Sequence, residues 1–524
     1  MIRIWGFITG FILLNITVSA QKDSSALQFA GIITPALLSE YLHVLASDSL
    51  EGREAGAPGQ KKAAMYLKDQ FESFGLEPVV RTETGKSYFQ LFNLVRRNWN
   101  EVYINVGKNG KTFLADFYAY GDVEFAKAEK LPIVFAGYGI ESENYSDYKN
   151  IDVKGKGVVL FMGEPFADGK SLVTGKTSSS DWAQDWRRKA TEAKKQGAKA
   201  VFIVVGNNYK DFENRLNALK HHLSQPMLSF DYKQRGGSAF FVPVSLAAEM
   251  LKTSETELQD AKKALADPAA KRKKFKSAQV EVKVSVDKSV FDTENVLAFL
   301  EGNEKKDEVI VVTAHYDHLG IEDGKIYYGA DDDASGTAAV IALAKAFSEA
   351  DKDGKGPKRS ILFMPVTAEE KGLLGSEYYT DKPVIPLENT VANINIDMIG
   401  RMDTLHETPD YIYLIGSDRL STTLHTISEN AASTYMPEIE LDYRYNKRDD
   451  PNRFYYRSDH YNFAKNNIPV IFYFNGVHED YHQPTDTVDK IDFEKVSKIS
   501  RLIFYTIWDL ANYDQSIEVD VEAE

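Results

Sequence analysis

The chain is 524 residues long, 43% hydrophobic and 27% charged, which allows two or more domains with cores of ordinary size. Its formal net charge of −15 argues against a nucleic-acid partner, because neutralising phosphates requires a basic face. It has no cysteine, which excludes disulfides, thiolate metal ligands, thiol nucleophiles and lipid attachment through a thiol.

Residues 1–20 read as a secretory signal peptide. Arg3 gives a positive start, residues 4–16 are almost all apolar, and Val18-Ser19-Ala20 offers small residues for cleavage before Gln21. The apolar run is short for a membrane span and no later stretch approaches that length. A secreted or periplasmic protein without a membrane span is therefore expected. Thr34-Pro35 then has the pattern of an N-cap with proline in the first turn, followed by Leu37, Leu38, Tyr41, Leu42 and Leu45 at helical spacing. A turn-rich loop covers 50–59, a helix 60–74 stops at Gly75, and a strand is expected at 88–95.

Between about residues 112 and 286 the texture changes to short strands, at 133–135, 158–162, 200–205 and 240–244, with a helix at 185–196 closed by Gly197. No metal-ligand cluster stands out there. His221 and His222 diverge by about 100° on a helix and read as solvated surface. Ser254 and Glu257 have capping-box spacing for a charged helix at 254–266. Asp267-Pro268 and the basic run 271–276 follow as a solvated linker, before Val280, Val282, Val284 and Val286 alternate as a strand.

From Asn295 strands and helices alternate: strands at 309–313, 360–366, 390–396 and 470–473, helices at 334–350, from 374 and at 493–512, the last capped by Asp492. This pattern predicts an α/β fold with a mixed, largely parallel central sheet flanked by helices, and a β-rich α/β insertion. The expected domains are an N-terminal part of the main domain at 26–110, the insertion at 111–286, the core at 287–514 and an acidic tail at 515–524.

Five segments carry chemistry: His315-Tyr316-Asp317, Asp331-Asp332-Asp333, Glu369-Glu370, Asp397, and His482 beside Pro484. Three of them directly follow expected parallel strands, whose carboxyl ends converge on one crevice. Two histidines and three carboxylates can hold two zinc-sized ions if one carboxylate is shared, and ions about 3.5–4 Å apart activate water and polarise carbonyls. Three adjacent carboxylates before a helix start are costly without cations. Of Glu369 and Glu370, one can ligate while the other serves as general base. Asp397 sits among Ile394, Ile396, Met398 and Ile399, so its carboxylate needs a partner.

With Ala314-His315-Tyr316-Asp317, Gly329 to Gly336, Ala368 to Ser376, Ile396-Asp397-Met398 and His482 in this order, the chain resembles the M28 zinc peptidases. Phe135 to Gly139 and Lys154 to Val159 resemble the protease-associated domain inserted in such enzymes. The resemblance implies two Zn2+ ions bridged by Asp332, one completed by His315 and Asp397, the other by Glu370 and His482. It further implies Glu369 as the base toward a metal-bridging water, Asp317 as the residue orienting His315, and Tyr455, with Tyr456 as rival, as an oxyanion donor. The expected activity is that of an aminopeptidase acting on peptides. A carboxypeptidase or acidic-dipeptide hydrolase, using Arg444, Arg453 or Arg457 as a carboxylate clamp, is the alternative on the same metals. Glutaminyl cyclisation and a non-catalytic metal-stabilised peptide-binding protein are more distant readings.

Overall fold

The computed structural model describes residues 22–233, 237–267, 270 and 272–522. The expected signal peptide, Pro268 and Lys271 lie outside the described residues. The chain divides into two compact units, one formed by the residues up to 92 together with those from 292 onward, the other by residues 93–291. Among the described residues no helix is long and apolar enough to cross a membrane.

The first unit is built on an eight-stranded sheet. Its strands are β1 (Glu77–Pro78), β2 (Ala298–Leu300), β3 (Lys305–His315), β4 (Arg359–Val366), β5 (Thr390–Ile396), β6 (Tyr411–Ile415), β7 (Glu440–Asp442) and β8 (Val470–Phe474), in the order β1-β2-β4-β3-β5-β8-β6-β7. The central four, β4, β3, β5 and β8, are mutually parallel. On the flanks β2 runs antiparallel to β4 and β6 antiparallel to β8. The mixed, largely parallel α/β sheet expected from the sequence is the one observed.

Helices cover both faces, which is why the central strands are continuous apolar runs. They are α1 (Pro35–Leu45), α2 (Pro58–Phe74), α3 (Gly336–Lys352), α4 (Leu374–Asp381), α5 (Thr422–Tyr435), α6 (His460–Ala464) and α7 (Phe493–Asn512). Side chains alternate along β3: Ile310, Val312 and Ala314 join the core with α1, α2, α3, α5 and α7, while Val309 and Val311 join the opposite core with α4 and α6. On α7, Val496, Ile499, Leu502, Ile503 and Leu510 are all buried, each worth about 1.5–3 kcal/mol relative to exposure. Local signals set the helix ends. Thr34 accepts from the Leu37 N–H, Asp492 from the Lys495 N–H, and Gly75 closes α2 at φ 84°, where a side chain would be strained.

No strand or helix is expected from the sequence between 396 and 470, yet β6, α5, β7 and α6 lie there. The five residues of β6 are all buried, and so short a run has no diagnostic period. The polar sequence of α5 carries only a few inward positions, Leu424, Ile427, Ala431 and Ala432 among them.

The second unit contains most of a nine-stranded sheet. Gly157–Phe161 and Ala200–Val204 pair in parallel at its centre, and Val280, Val282 and Val284 of the strand Gln279–Val296 point inward as their alternation requires. Ser254 accepts from the Glu257 N–H and caps the helix Glu255–Lys263. The helices Tyr209–Ser224 and Val244–Met250 were not expected from the sequence.

Candidate active site

Because β3, β4 and β5 run parallel and are neighbours, the residues at their carboxyl ends meet. His315 ends β3, Glu369 and Glu370 follow β4, and Asp397 follows β5. Asp332 comes from the turn that opens α3, and His482 from the loop after β8. Ala368, Met398 and His482, each a ligand candidate or within two residues of one, hold φ values of 56°, 58° and 56°. Such conformations persist only where the surroundings enforce them, and they concentrate at functional sites.

The five presumed ligands close on one cavity, which Glu369, Arg457 and Tyr481 also line. His315 Nε2 lies 3.2 Å from Asp332 Oδ1 and 3.6 Å from Asp397 Oδ1. His482 Nε2 lies 3.1 Å from both Asp332 Oδ2 and Glu370 Oε2. The two oxygens of Asp332 thus face different histidines. His315, Asp332 and Asp397 form one group able to hold an ion, and His318, Asp332 and Glu370 a second, with the ligand atoms of each group within 4.8 Å of one another.

His318 was missed from sequence, although it stands three residues after His315. It is fully buried, and its Nδ1 lies 2.8 Å from Glu370 Oε1, the carboxylate oxygen opposite the one that faces His482.

The three adjacent aspartates separate by role. Asp333 accepts main-chain N–H bonds from Gly336 (2.9 Å), Met398 (3.1 Å) and His315 (3.2 Å), so it ties the start of α3 to both neighbouring ligand strands. Asp331 accepts from the Gly400 N–H at 2.6 Å and lies 3.2 Å from His478 Nε2. Only Asp332 faces the cavity. Asp486 accepts from the N–H groups of Asp331 (3.0 Å) and Asp332 (3.2 Å) and so fixes this turn. Ser458 donates to Asp397 Oδ2 at 2.7 Å and accepts from Asn395 at 2.8 Å.

Two expected roles meet a different geometry. Asp317 was expected to accept the free N–H of His315 through its carboxylate. His315 Nδ1 is instead 3.1 Å from the Asp317 main-chain carbonyl and 3.9 Å from its carboxylate, which accepts the Glu369 N–H at 3.1 Å. Tyr455 was chosen by spacing, but it lies under the Arg419 guanidinium, 4.0 Å from its ring centre, and lines a separate cavity together with its rival Tyr456. The tyrosine lining the metal cavity is Tyr481, stacked on His482 with ring centres 3.9 Å apart.

The electrostatics call for positive charge. Asp332 Oδ2, Glu370 Oε1 and both His318 nitrogens are buried without a well-aligned hydrogen bond, although His482 Nε2 and His318 Nδ1 approach the two oxygens to 3.1 and 2.8 Å. Burial alone would lower the pKa of His482, yet Glu370 and Asp332 raise it to about 11. Burial likewise works to raise Glu370, and its histidine neighbours outweigh this and hold it at about 2. Glu369, buried and beside Glu370, is pushed well above the usual carboxylate range even though His315 acts in the other direction. Nitrogen and carboxylate donors in this arrangement suit zinc. The residues therefore fit a two-ion centre.

Residues 295–507 match the family model described as peptidase family M28. A probable zinc metalloprotease of Pyrenophora teres f. teres is 28% identical over 257 residues, 41% of this chain and 51% of that protein. The aminopeptidase YwaD of Bacillus subtilis is 27% identical over 214 residues, 40% of this chain and 42% of that protein. The chain spans about half the length of the curated relatives it matches. The solved aminopeptidase from Aneurinibacillus sp. strain AM-1 shares the fold, with a TM-score of 0.57 at 19% identity over 95% of this chain and 98% of that one.

Proposed function

Residues 295–507 of this chain belong to peptidase family M28, and from that premise we propose a two-zinc metallo-exopeptidase that removes residues from the free N-termini of peptides. The observation that carries this reading is the position of Asp332, with one oxygen 3.2 Å from His315 and the other 3.1 Å from His482. Asp332 would be shared, His315 and Asp397 would hold one ion, and Glu370 and His482 the other. When bound, the ions supply Lewis acidity toward a peptide carbonyl and lower the pKa of water.

The chain's own residues do the rest. Glu369, whose buried carboxyl holds a proton readily, takes the proton of the attacking water and returns it to the leaving amine. The Tyr481 hydroxyl is pushed well above its usual range by burial and by Asp332, so it stays protonated and can donate to the developing oxyanion. His318 steadies the Glu370 carboxylate from behind. Phe454, Phe472 and Phe474 line the same cavity and offer an apolar wall to a substrate side chain.

One observation favours a second reading, a carboxypeptidase. Arg457 lines the cavity, stacked over Phe454 at 4.8 Å, and could clamp a substrate carboxylate. Peptides with free ends, acetylated N-termini or amidated C-termini separate the two. Hydrolysis that survives amidation and stops on acetylation supports the aminopeptidase; the reverse pattern replaces it. Two zinc equivalents are expected at the peptidase centre of the active protein. The apolar run of residues 4–16 supports export to the periplasm or exterior, testable as a mature N-terminus at Gln21. The insertion expected at 111–286, which falls within the residues 93–291 that interrupt the peptidase unit, is taken as the protease-associated domain.

A further inference from the structure

The segment between β5 and β6 carries Asp403 and His406, which the peptidase chemistry does not use. Asp403 accepts from the Leu405 N–H at 3.0 Å, the Tyr411 hydroxyl at 3.3 Å and the Tyr413 hydroxyl. Its Oδ1 also lies 3.0 Å from His406 Nδ1. A carboxylate so placed fixes the imidazole with its proton on Nδ1 and leaves the Nε2 lone pair bare, as second-layer carboxylates do for histidines that bind metals.

The bare nitrogen is buried. The His406 side chain is 8% exposed, Nε2 has no hydrogen-bond partner, and it lies 3.3 Å from Asp442 Oδ2, itself an acceptor. The ring is pinned by stacking on Tyr411, with centroids 3.4 Å apart and planes 10° from parallel. Glu440 precedes Asp442 by two positions on β7, so both side chains project from one face of the strand. One ligand atom each from His406, Glu440 and Asp442 lie within 4.8 Å of one another.

We propose that His406, Glu440 and Asp442 bind a divalent transition-metal ion of the zinc or manganese type at a structural site separate from the peptidase centre. One imidazole nitrogen and two carboxylates are a donor set for such ions, with solvent completing the shell. The ion would tie the segment that follows Asp397 to the edge strand β7. Arg444 competes for the same oxygen: its Nε donates to Asp442 Oδ2 at 2.8 Å. The Arg444 side chain is 41% exposed, so it has room to turn into solvent when the ion binds. The rival arrangement is a second proton on His406 that bridges Asp403 and Asp442 with no metal.

The test uses the full chain carrying Asp332→Asn, which disables the shared ligand of the peptidase centre. Equilibrium dialysis against Zn2+ and, separately, Mn2+ is followed by elemental analysis and thermal unfolding. At least one ion is expected to remain bound and to raise Tm. Adding Glu440→Gln, an exposed position that does not endanger folding, should weaken this binding at least ~10-fold, as should His406→Gln. Arg444→Ala should tighten it several-fold. No retained ion in the Asp332→Asn protein overturns the proposal and leaves the bridging proton. So does binding that either Glu440→Gln or His406→Gln leaves unchanged. Neither outcome bears on peptidase activity, which is read on the chain with Asp332 intact.

Discussion

Arg53→Met is the sharpest test of how the ligand loops are held. The Arg53 side chain is wholly buried, although the loop that carries it has no apolar period. It donates to the main-chain carbonyls of Tyr316 and Tyr328 at 2.8 Å, of Gly329 at 3.0 Å, and of Leu45. Tyr316 adjoins His315, and Gly329 begins the turn that presents Asp332. Burial pulls the guanidinium down to about 10 while Asp317, Asp332, Asp333 and Asp486 hold it up, so it stays charged at neutral pH. Methionine keeps the bulk of the stem but leaves four carbonyls without this donor. The Gly329 carbonyl keeps the Ala334 N–H at 3.2 Å, but an unsatisfied buried acceptor costs roughly 1–3 kcal/mol, so even the low end for the other three sums to about 3 kcal/mol, a large share of a net stability of about 5–15 kcal/mol. Lysine restores a charge but not the fork, and an intermediate loss of about 2 kcal/mol is expected. The assay is urea unfolding at fixed zinc concentration, because bound metal stabilises the folded form. A methionine variant within about 1 kcal/mol of the parent would refute the claim that Arg53 holds these loops.

Three further outcomes are expected. Glu369→Gln should lower kcat by about 10²–10⁴ with zinc content unchanged, since the residue moves a proton without ligating; an unaltered kcat removes it from that role. His318→Ala should weaken zinc binding by about 10–100-fold in competition with a chelator, through loss of the contact to Glu370. His460, stacked on Phe472 with ring centres 4.7 Å apart, is held at about 3 by burial against an ordinary value of 6.5. Between those values the unfolded chain binds the proton and the folded chain does not, so stability should fall by roughly 4–5 kcal/mol as pH drops through that window. His460→Phe should remove that share of the acid sensitivity and change little above pH 7, as read by urea unfolding at each pH.

What the sequence disclosed and what it hid divide along a physical line. His315, Asp397 and the Glu369-Glu370 pair were legible because each follows a strand buried on both faces, and such strands print a continuous apolar run just before the ligand. Among Asp331, Asp332 and Asp333 no local signal says which one faces the cavity. The turn sends Asp331 toward His478 and Asp333 to three main-chain N–H groups, and this is decided by backbone path rather than residue type. Tyr455 was chosen by spacing within a loop, with Tyr456 as its rival, and Tyr481 was not weighed although it adjoins a ligand. In a segment without periodicity, adjacency is the stronger constraint, since the loop that delivers His482 must deliver its neighbour too.

The residues that support the ligands were harder still to see. Arg53 acts on carbonyls and Asp486 on N–H groups, partners that every residue possesses, so no pairing of side chains in the sequence can betray them. A metal ligand is constrained by its own chemistry and leaves a mark in composition, whereas the group that positions it is constrained only by where the backbone passes. The loop at 50–59 shows the consequence. Its turn-forming glycines and proline were visible, but the one buried charge among them became meaningful only once two ligand loops were seen to end on it.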